Sequence, residues 1–141
     1  MQRRTLLTAL GVSMLGTGRL AWGQAYPSQP VRMIVPYSAG GGIDAVARLV
    51  GQGVGEALQQ SFVIDNKAGA GGMLGAEAVA KAPPDGYTIL FAGNPELTIA
   101  PWLQAKASYA PLTDFTPVVL ISQSPNILVA NAKLGARTLS E

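Results

Sequence analysis

Two stretches of this sequence have the composition to hold a small anion: Tyr37-Ser-Ala-Gly-Gly-Gly42 and Asn66-Lys-Ala-Gly-Ala-Gly-Gly72. Glycines let a backbone turn so that successive N–H groups point at one spot. A helix starting there adds the positive end of its dipole. A hydrogen bond to a charged acceptor contributes about 1.5–3 kcal/mol, so a handful of them would hold a small carboxylate without any Arg. Neither loop carries one. A single loop of this kind reads as a tight turn. Two of them, each between a strand and a helix, point to an anion site. Asp44 stands in the first turn after the first loop, where a carboxylate stabilises a helix N-terminus; direct contact with a ligand is its second reading.

The residues that are missing narrow the chemistry. The 141 residues include no Cys and no His. A disulfide, a thiolate nucleophile, a cysteine zinc site and a Ser-His-Asp triad are therefore excluded within the chain. We expect a domain that binds rather than catalyses, with no metal and no cofactor. One enzymatic reading competes. Gly40-x-Gly42-x-x-Ala45 fits the dinucleotide pattern with Ala in third place, and Asp65 lies about where a ribose-binding acid belongs. Against this oxidoreductase reading, Asp44 would repel a pyrophosphate and residues 36–39 separate the strand from the glycines.

The elements that position these loops read as alternating strand and helix. Val31–Val35 is a β-rich apolar run ended by Pro36. From Ile43 a helical stripe follows, Val46, Val50, Val54 and Leu58, widened by Ala47 and Leu49. Gly51, Gly53 and Gly55 each cost that helix about 1 kcal/mol relative to Ala, which predicts close packing against a sheet. Residues 62–65 form a second strand and residues 73–81 a short helix. Pro83-Pro-Asp-Gly86 is a turn, and residues 87–92 a third strand. Gly93-Asn-Pro95 breaks it, and residues 97–103 form at best a short helix or turn before Pro101. Residues 116–121 and 126–130 read as fourth and fifth strands. This order predicts an α/β domain, a parallel sheet with flanking helices on both faces. Its loops gather at the carboxyl ends of the strands, where open α/β sheets bind ligands.

The start of the chain reads differently. Met1-Gln-Arg-Arg4 is basic, residues 5–18 are uncharged and mostly apolar, and small residues follow Arg19. Basic head, short apolar centre and small-residue site are the parts of a secretory signal peptide. We expect cleavage after Gly23 or Ala25. Arg3-Arg4 also suits twin-arginine export, against which the general secretory route stands about even. The whole chain has a net charge of +2, but residues 26–141 hold seven basic and eight acidic residues, a net of −1. The alkaline balance belongs to the leader. Neither a nucleic-acid footprint nor a basic amphipathic helix for membrane insertion remains after its removal.

These residues carry a resemblance. Pro36-Tyr-Ser-Ala-Gly-Gly-Gly-Ile-Asp44 resembles the Pro-aromatic-x-x-Gly-Gly-x-x-Asp signature of the Bug family, the extracytoplasmic receptors of tripartite tricarboxylate transporters. Asn66-Lys-Ala-Gly-Ala-Gly-Gly72 resembles the family's second loop. Pro84-Asp-Gly-Tyr87, Asp114-Phe-Thr-Pro117 and Pro125-Asn-Ile-Leu-Val129 recur in order, and Tyr26-Pro-Ser-Gln-Pro-Val-Arg32 is similar to the family's mature N-terminus. The resemblance implies the first domain of a periplasmic-binding-protein-like two-domain fold that closes over a small carboxylate for membrane permease subunits. Family ligands include di- and tricarboxylates, acidic amino acids and aromatic acids, held largely by backbone N–H groups and waters. Carried over by position, Tyr37, Ser38, Ala39, Gly40 and Gly41 line the first loop, and Asp44 ends its signature. Ala70, Gly71 and Gly72 line the second, and Gly93 and Asn94 the third. Core packing is an equal reading of Tyr37. The family's Asn-Pro near residue 100 is Ala100-Pro101 here, and the Asp of its Tyr-Asp-Pro stretch is Ala110.

The resemblance also bears on extent, since family members are about twice as long. Residues 1–25 are expected to be leader, 26–124 the ligand-binding domain, and 125–141 a crossover strand and the start of a second domain. Thr138-Leu-Ser-Glu141 is a capping box announcing a helix, from which we expect a truncated chain. A non-binding remnant is thus a third reading.

Overall fold

The computed structural model describes residues 25–103, 108–125, 127–135 and 138–140. At its centre lies β1, Val31–Val35, whose Val31, Met33, Ile34 and Val35 are all at most 3% exposed. Only Arg32 of this strand is exposed, and the remaining apolar residues are covered on both faces. It pairs in parallel with β2, Phe62–Asn66, and with β3, Thr88–Leu90, giving the order β2-β1-β3. Met33 aligns with Ile64 on one side and Ile89 on the other. The third strand is shorter than the sequence predicts, although the Phe91 amide still donates to the Ile34 carbonyl.

Helix α1, Gly42–Leu58, covers one face, with Met33, Val35 and Ala47 at the heart of the contact and Ile43, Phe62, Ile64, Ile89 and Phe91 around them. Its buried line is Asp44, Ala47 and Gly51, while Val46 is 38% and Leu49 72% exposed. The expected stripe is thus displaced: a four-residue repeat drifts about 40° per step around a helix of 3.6 residues per turn. The small side chains of Ala47 and Gly51 set the closest approach instead. A Cβ on Gly51 would lie 3.2 Å from Ile64 Cδ1, and one on Gly55 2.8 Å from the Gln60 carbonyl oxygen. Gly53 meets nothing within 4 Å, so close packing does not account for it.

The opposite face carries α2, Met73–Ala80, whose Met73 and Ala76 pack with Ala100 and Tyr109 and against Leu90 and Phe115. The Tyr109 and Phe115 rings meet edge to face at 5.6 Å. After β3 come a π-helical turn, Pro95–Ile99, and the short α3, Ala100–Leu103. The chain stays helical through Pro101, which follows directly on the π-helical turn. Among the described residues, no helix is long and apolar enough to cross a membrane.

The turn at residues 83–86 forms as expected. The Tyr87 amide donates to Asp85 Oδ1 at 2.9 Å and Gly86 takes φ 81°. Onto this turn docks the start of the described chain. The Tyr26 hydroxyl donates to the Gly86 carbonyl at 2.8 Å, the Ser28 amide donates to the Tyr87 hydroxyl at 3.0 Å, and the two rings lie 5.2 Å apart.

The expected fourth and fifth strands do not form. Residues 116–125 and 127–130 are irregular, and Val118, Val119, Leu128 and Val129 are each at least 70% exposed. β-branched composition yields a strand only where a neighbour supplies the ladder and a surface to cover. Neither is supplied to these residues by the three-stranded sheet. Residues 138–140 make a bend and turn, with the Thr138 and Ser140 hydroxyls 3.1 Å apart. Asn126, Glu141 of the capping box and the leader up to residue 24 lie outside the described residues.

Candidate functional site

Parallel strands place the three loops after β1, β2 and β3 along one edge of the sheet. In the first, Pro36 is buried, Tyr37 half-buried, and Ser38, Ala39, Gly40 and Gly41 exposed. Helix α1 then starts with Gly41 as N-cap and no side chain capping it. Its first intrahelical bond runs from the Ala45 amide to the Gly41 carbonyl at 3.0 Å. The preceding amides of Gly42, Ile43 and Asp44 are the helix donors with no partner inside the helix.

Asp44 braces this loop from behind. Its Oδ2 accepts the Gly40 amide at 2.8 Å and Arg48 Nε at 2.9 Å, and its Oδ1 accepts Asn66 Nδ2 at 2.9 Å. Asn66 Nδ2 also reaches the Tyr37 carbonyl at 3.1 Å, and Asn66 Oδ1 accepts Arg48 Nη2 at 3.1 Å. The hydrogen bond from Arg48, then those from Gly40 and Asn66, hold the Asp44 carboxyl down at about 2. Asp44 therefore organises the first loop and the end of β2. Arg48 and Asn66 belong to this network; the periodicity of α1 and the end position of β2 were the only signals for them.

The second loop carries four successive positive φ values: Gly69 at 136°, Ala70 at 49°, Gly71 at 66° and Gly72 at 93°. Ala70 and Gly71 are exposed, and Gly72 is buried as the N-cap of α2, again with no side-chain cap. In the third loop, the Gly93 amide donates to Glu96 Oε1 at 2.5 Å, while Asn94 is exposed and its amide oxygen accepts the Thr98 hydroxyl.

Glu96, which the sequence did not single out, joins all three loops. It is fully buried. Its Oε2 accepts the Tyr37 hydroxyl at 2.5 Å, and a Cβ on Gly72 would lie 3.0 Å from its own Cβ. Burial first, then the hydrogen bond to Glu96 and its negative charge, push the Tyr37 phenol well above the ordinary tyrosine range. Of the residues expected to line a site, Tyr37, Gly72 and Gly93 meet at Glu96, and Gly40 and Asp44 meet within the first loop. Ser38, Ala39, Gly41, Ala70, Gly71 and Asn94 stand exposed along the edge. The dinucleotide reading fares worse: Asp65, its ribose ligand, is bound by Arg32 through Nε at 2.9 Å and through Nη2. Two uncapped helix N-termini at one sheet edge can bind an anion through backbone N–H groups.

Known proteins match this arrangement. Residues 46–141 match the family described as Tripartite tricarboxylate transporter family receptor. A UPF0065 protein of Bordetella bronchiseptica is 38% identical over 138 residues, 98% of this chain and 41% of that protein. BugT of Bordetella pertussis is 36% identical over 95% of this chain and 42% of its own length. Among solved structures, an R. palustris protein with adipate is 36% identical with a TM-score of 0.65, covering 82% of this chain and 38% of that one. MatC from Rhodopseudomonas palustris, with bound malate, is 41% identical with a TM-score of 0.62, covering 66% and 32%. The chain thus spans about two fifths of the length of the curated relatives it matches. With its parallel sheet, glycine-capped helices and family match over residues 46–141, the chain belongs to the receptors of tripartite tricarboxylate transporters.

Proposed function

We propose that this chain supplies the first lobe of a periplasmic receptor that captures a small carboxylate and presents it to membrane permease subunits. The observation that carries the reading is the pair of helices, α1 and α2, that begin at one sheet edge on glycine N-caps without side-chain caps. Their first-turn amides, apart from that of Met73, which donates to the Ala70 carbonyl, suit a carboxylate together with their dipoles, and its charge needs no Arg when several N–H groups converge. Bound adipate and malate in two structural neighbours support this class of ligand. Receptors of this family are periplasmic, and the Arg3-Arg4 head followed by an apolar run fits export by the Sec or twin-arginine route. A second lobe, in the remaining length typical of relatives, would complete the cleft.

The test is calorimetric titration of the protein from residue 26 onward with a panel of mono-, di- and tricarboxylates, and with NAD and NADP beside them. Saturable heat with at least one carboxylate and none with the dinucleotides is the expected result. Silence across the carboxylates overturns the reading and leaves a non-binding remnant. Heat from a dinucleotide would restore the oxidoreductase reading.

A further inference from the structure

Among the described residues, Asp44 and Glu96 are the buried charged side chains, and only Asp44 has a cationic partner. Glu96 lies at 0% exposure with neutral donors alone: the Tyr37 hydroxyl and the Gly93 amide, each at 2.5 Å. Its backbone carbonyl accepts the Tyr109 hydroxyl, which fastens the same residue to the α2 side of the sheet. A buried carboxylate is costly unless its oxygens are hydrogen-bonded. Removing either donor leaves that cost uncompensated, so both loops are held where the carboxylate needs them. A Cβ on Gly72 would come within 3.1 Å of Oε2, so the second loop closes on the same group.

We infer that Glu96 is the positioning residue of the carboxylate site: it clamps Tyr37 of the first loop and Gly93 of the third against Gly72 of the second, and withdraws both donors from the ligand. The inference rests on the receptor reading above. Under it, the ligand is held by the first-turn amides of α1 and α2 rather than by the Tyr37 hydroxyl. A negative charge beneath an anion site also repels the ligand. The sign of a charge-removing substitution therefore separates positioning from repulsion.

Glu96→Gln keeps the shape but offers one acceptor oxygen, which serves the Gly93 amide, while its NH2 can only donate and turns the Tyr37 hydroxyl from donor to acceptor. The charge-assisted bond that holds the first loop is replaced by a weaker neutral one. We expect Glu96→Gln to weaken carboxylate affinity about tenfold, equivalent to about 1.4 kcal/mol. Tyr37→Phe, the milder change, weakens it in the same direction. The double variant is no weaker than Glu96→Gln alone, because both substitutions break one contact. The Raman tyrosine doublet, which reports whether a phenol donates strongly, supplies a readout independent of ligand. The difference between wild type and Tyr37→Phe shows a strong donor, and the same difference in the Glu96→Gln background does not. Affinity that rises or stays unchanged in Glu96→Gln overturns the inference, as do losses that add in the double variant. If the wild type binds no carboxylate at all, the receptor reading fails, taking the ligand clause with it. The Raman difference then decides by itself whether Glu96 holds Tyr37.

Discussion

A carboxylate at the mouth of the proposed anion site is a contradiction that Asp44 resolves by its partners. Gly40, Arg48 and Asn66 occupy both its oxygens, so the charge is spent inside the protein. Because its folded-state pKa lies below the free value of 3.8, the unfolded chain takes up the proton first. The stability it contributes is complete above that value and is lost as pH falls toward about 2. Thermal melts should show the wild type losing Tm through that window. Asp44→Asn should start lower at neutral pH and fall less steeply. Gly72→Ala should destabilise by more than about 1 kcal/mol, since its φ is 93° and the new Cβ meets Glu96; a denaturant titration measures it. The glycine loops were legible because few other residues turn a backbone that way. Glu96 was not: an acid in the first turn after Asn94-Pro95 looks like an ordinary solvated helix start, and only the fold reveals that it is buried.

Elements were legible where one segment carries its own constraint. β1 is apolar apart from Arg32 and reads as central, and each glycine loop marks where a strand stops and a helix begins. Helix α1 was placed within a residue, yet its buried line was misread because small residues, not the largest apolar ones, touch the sheet. Gly53 follows from the same point. It is exposed with nothing within 4 Å of an added Cβ. Gly53→Ala should therefore stabilise by about 1 kcal/mol through helix propensity. Gly51→Ala, 3.2 Å from Ile64 Cδ1, should gain less or lose. Paired melting curves distinguish them, and equal gains would remove the close-approach argument for Gly51. Residues 116–130 show the opposite case, since a strand is a relation between segments. Their composition suits a strand, yet none forms there, because none of the three strands described supplies a ladder to them.

For the molecule as a whole, those same residues leave a run of apolar surface, with Val118 at 89% and Leu128 at 80% exposed. Surfaces of this kind associate unless something covers them. The protein from residue 26 onward should self-associate with rising concentration in sedimentation experiments. Val119→Lys with Leu128→Lys should suppress that while leaving the sheet's melting transition in place. A monomer at every concentration would mean that the run finds cover within the chain. Fold class and family were legible at this scale because loop motifs recur in order along the chain. The ligand was not, because backbone N–H groups suit any small anion alike, and this chain spans about two fifths of its relatives' length.

The clasp of Tyr26 and Ser28 on Gly86 and Tyr87 sits where β3 begins, at the end of the sheet away from the glycine loops. The described chain thus enters the fold at the pole opposite the loops, so loosening this clasp would act on the start of β3 and not on the loops themselves.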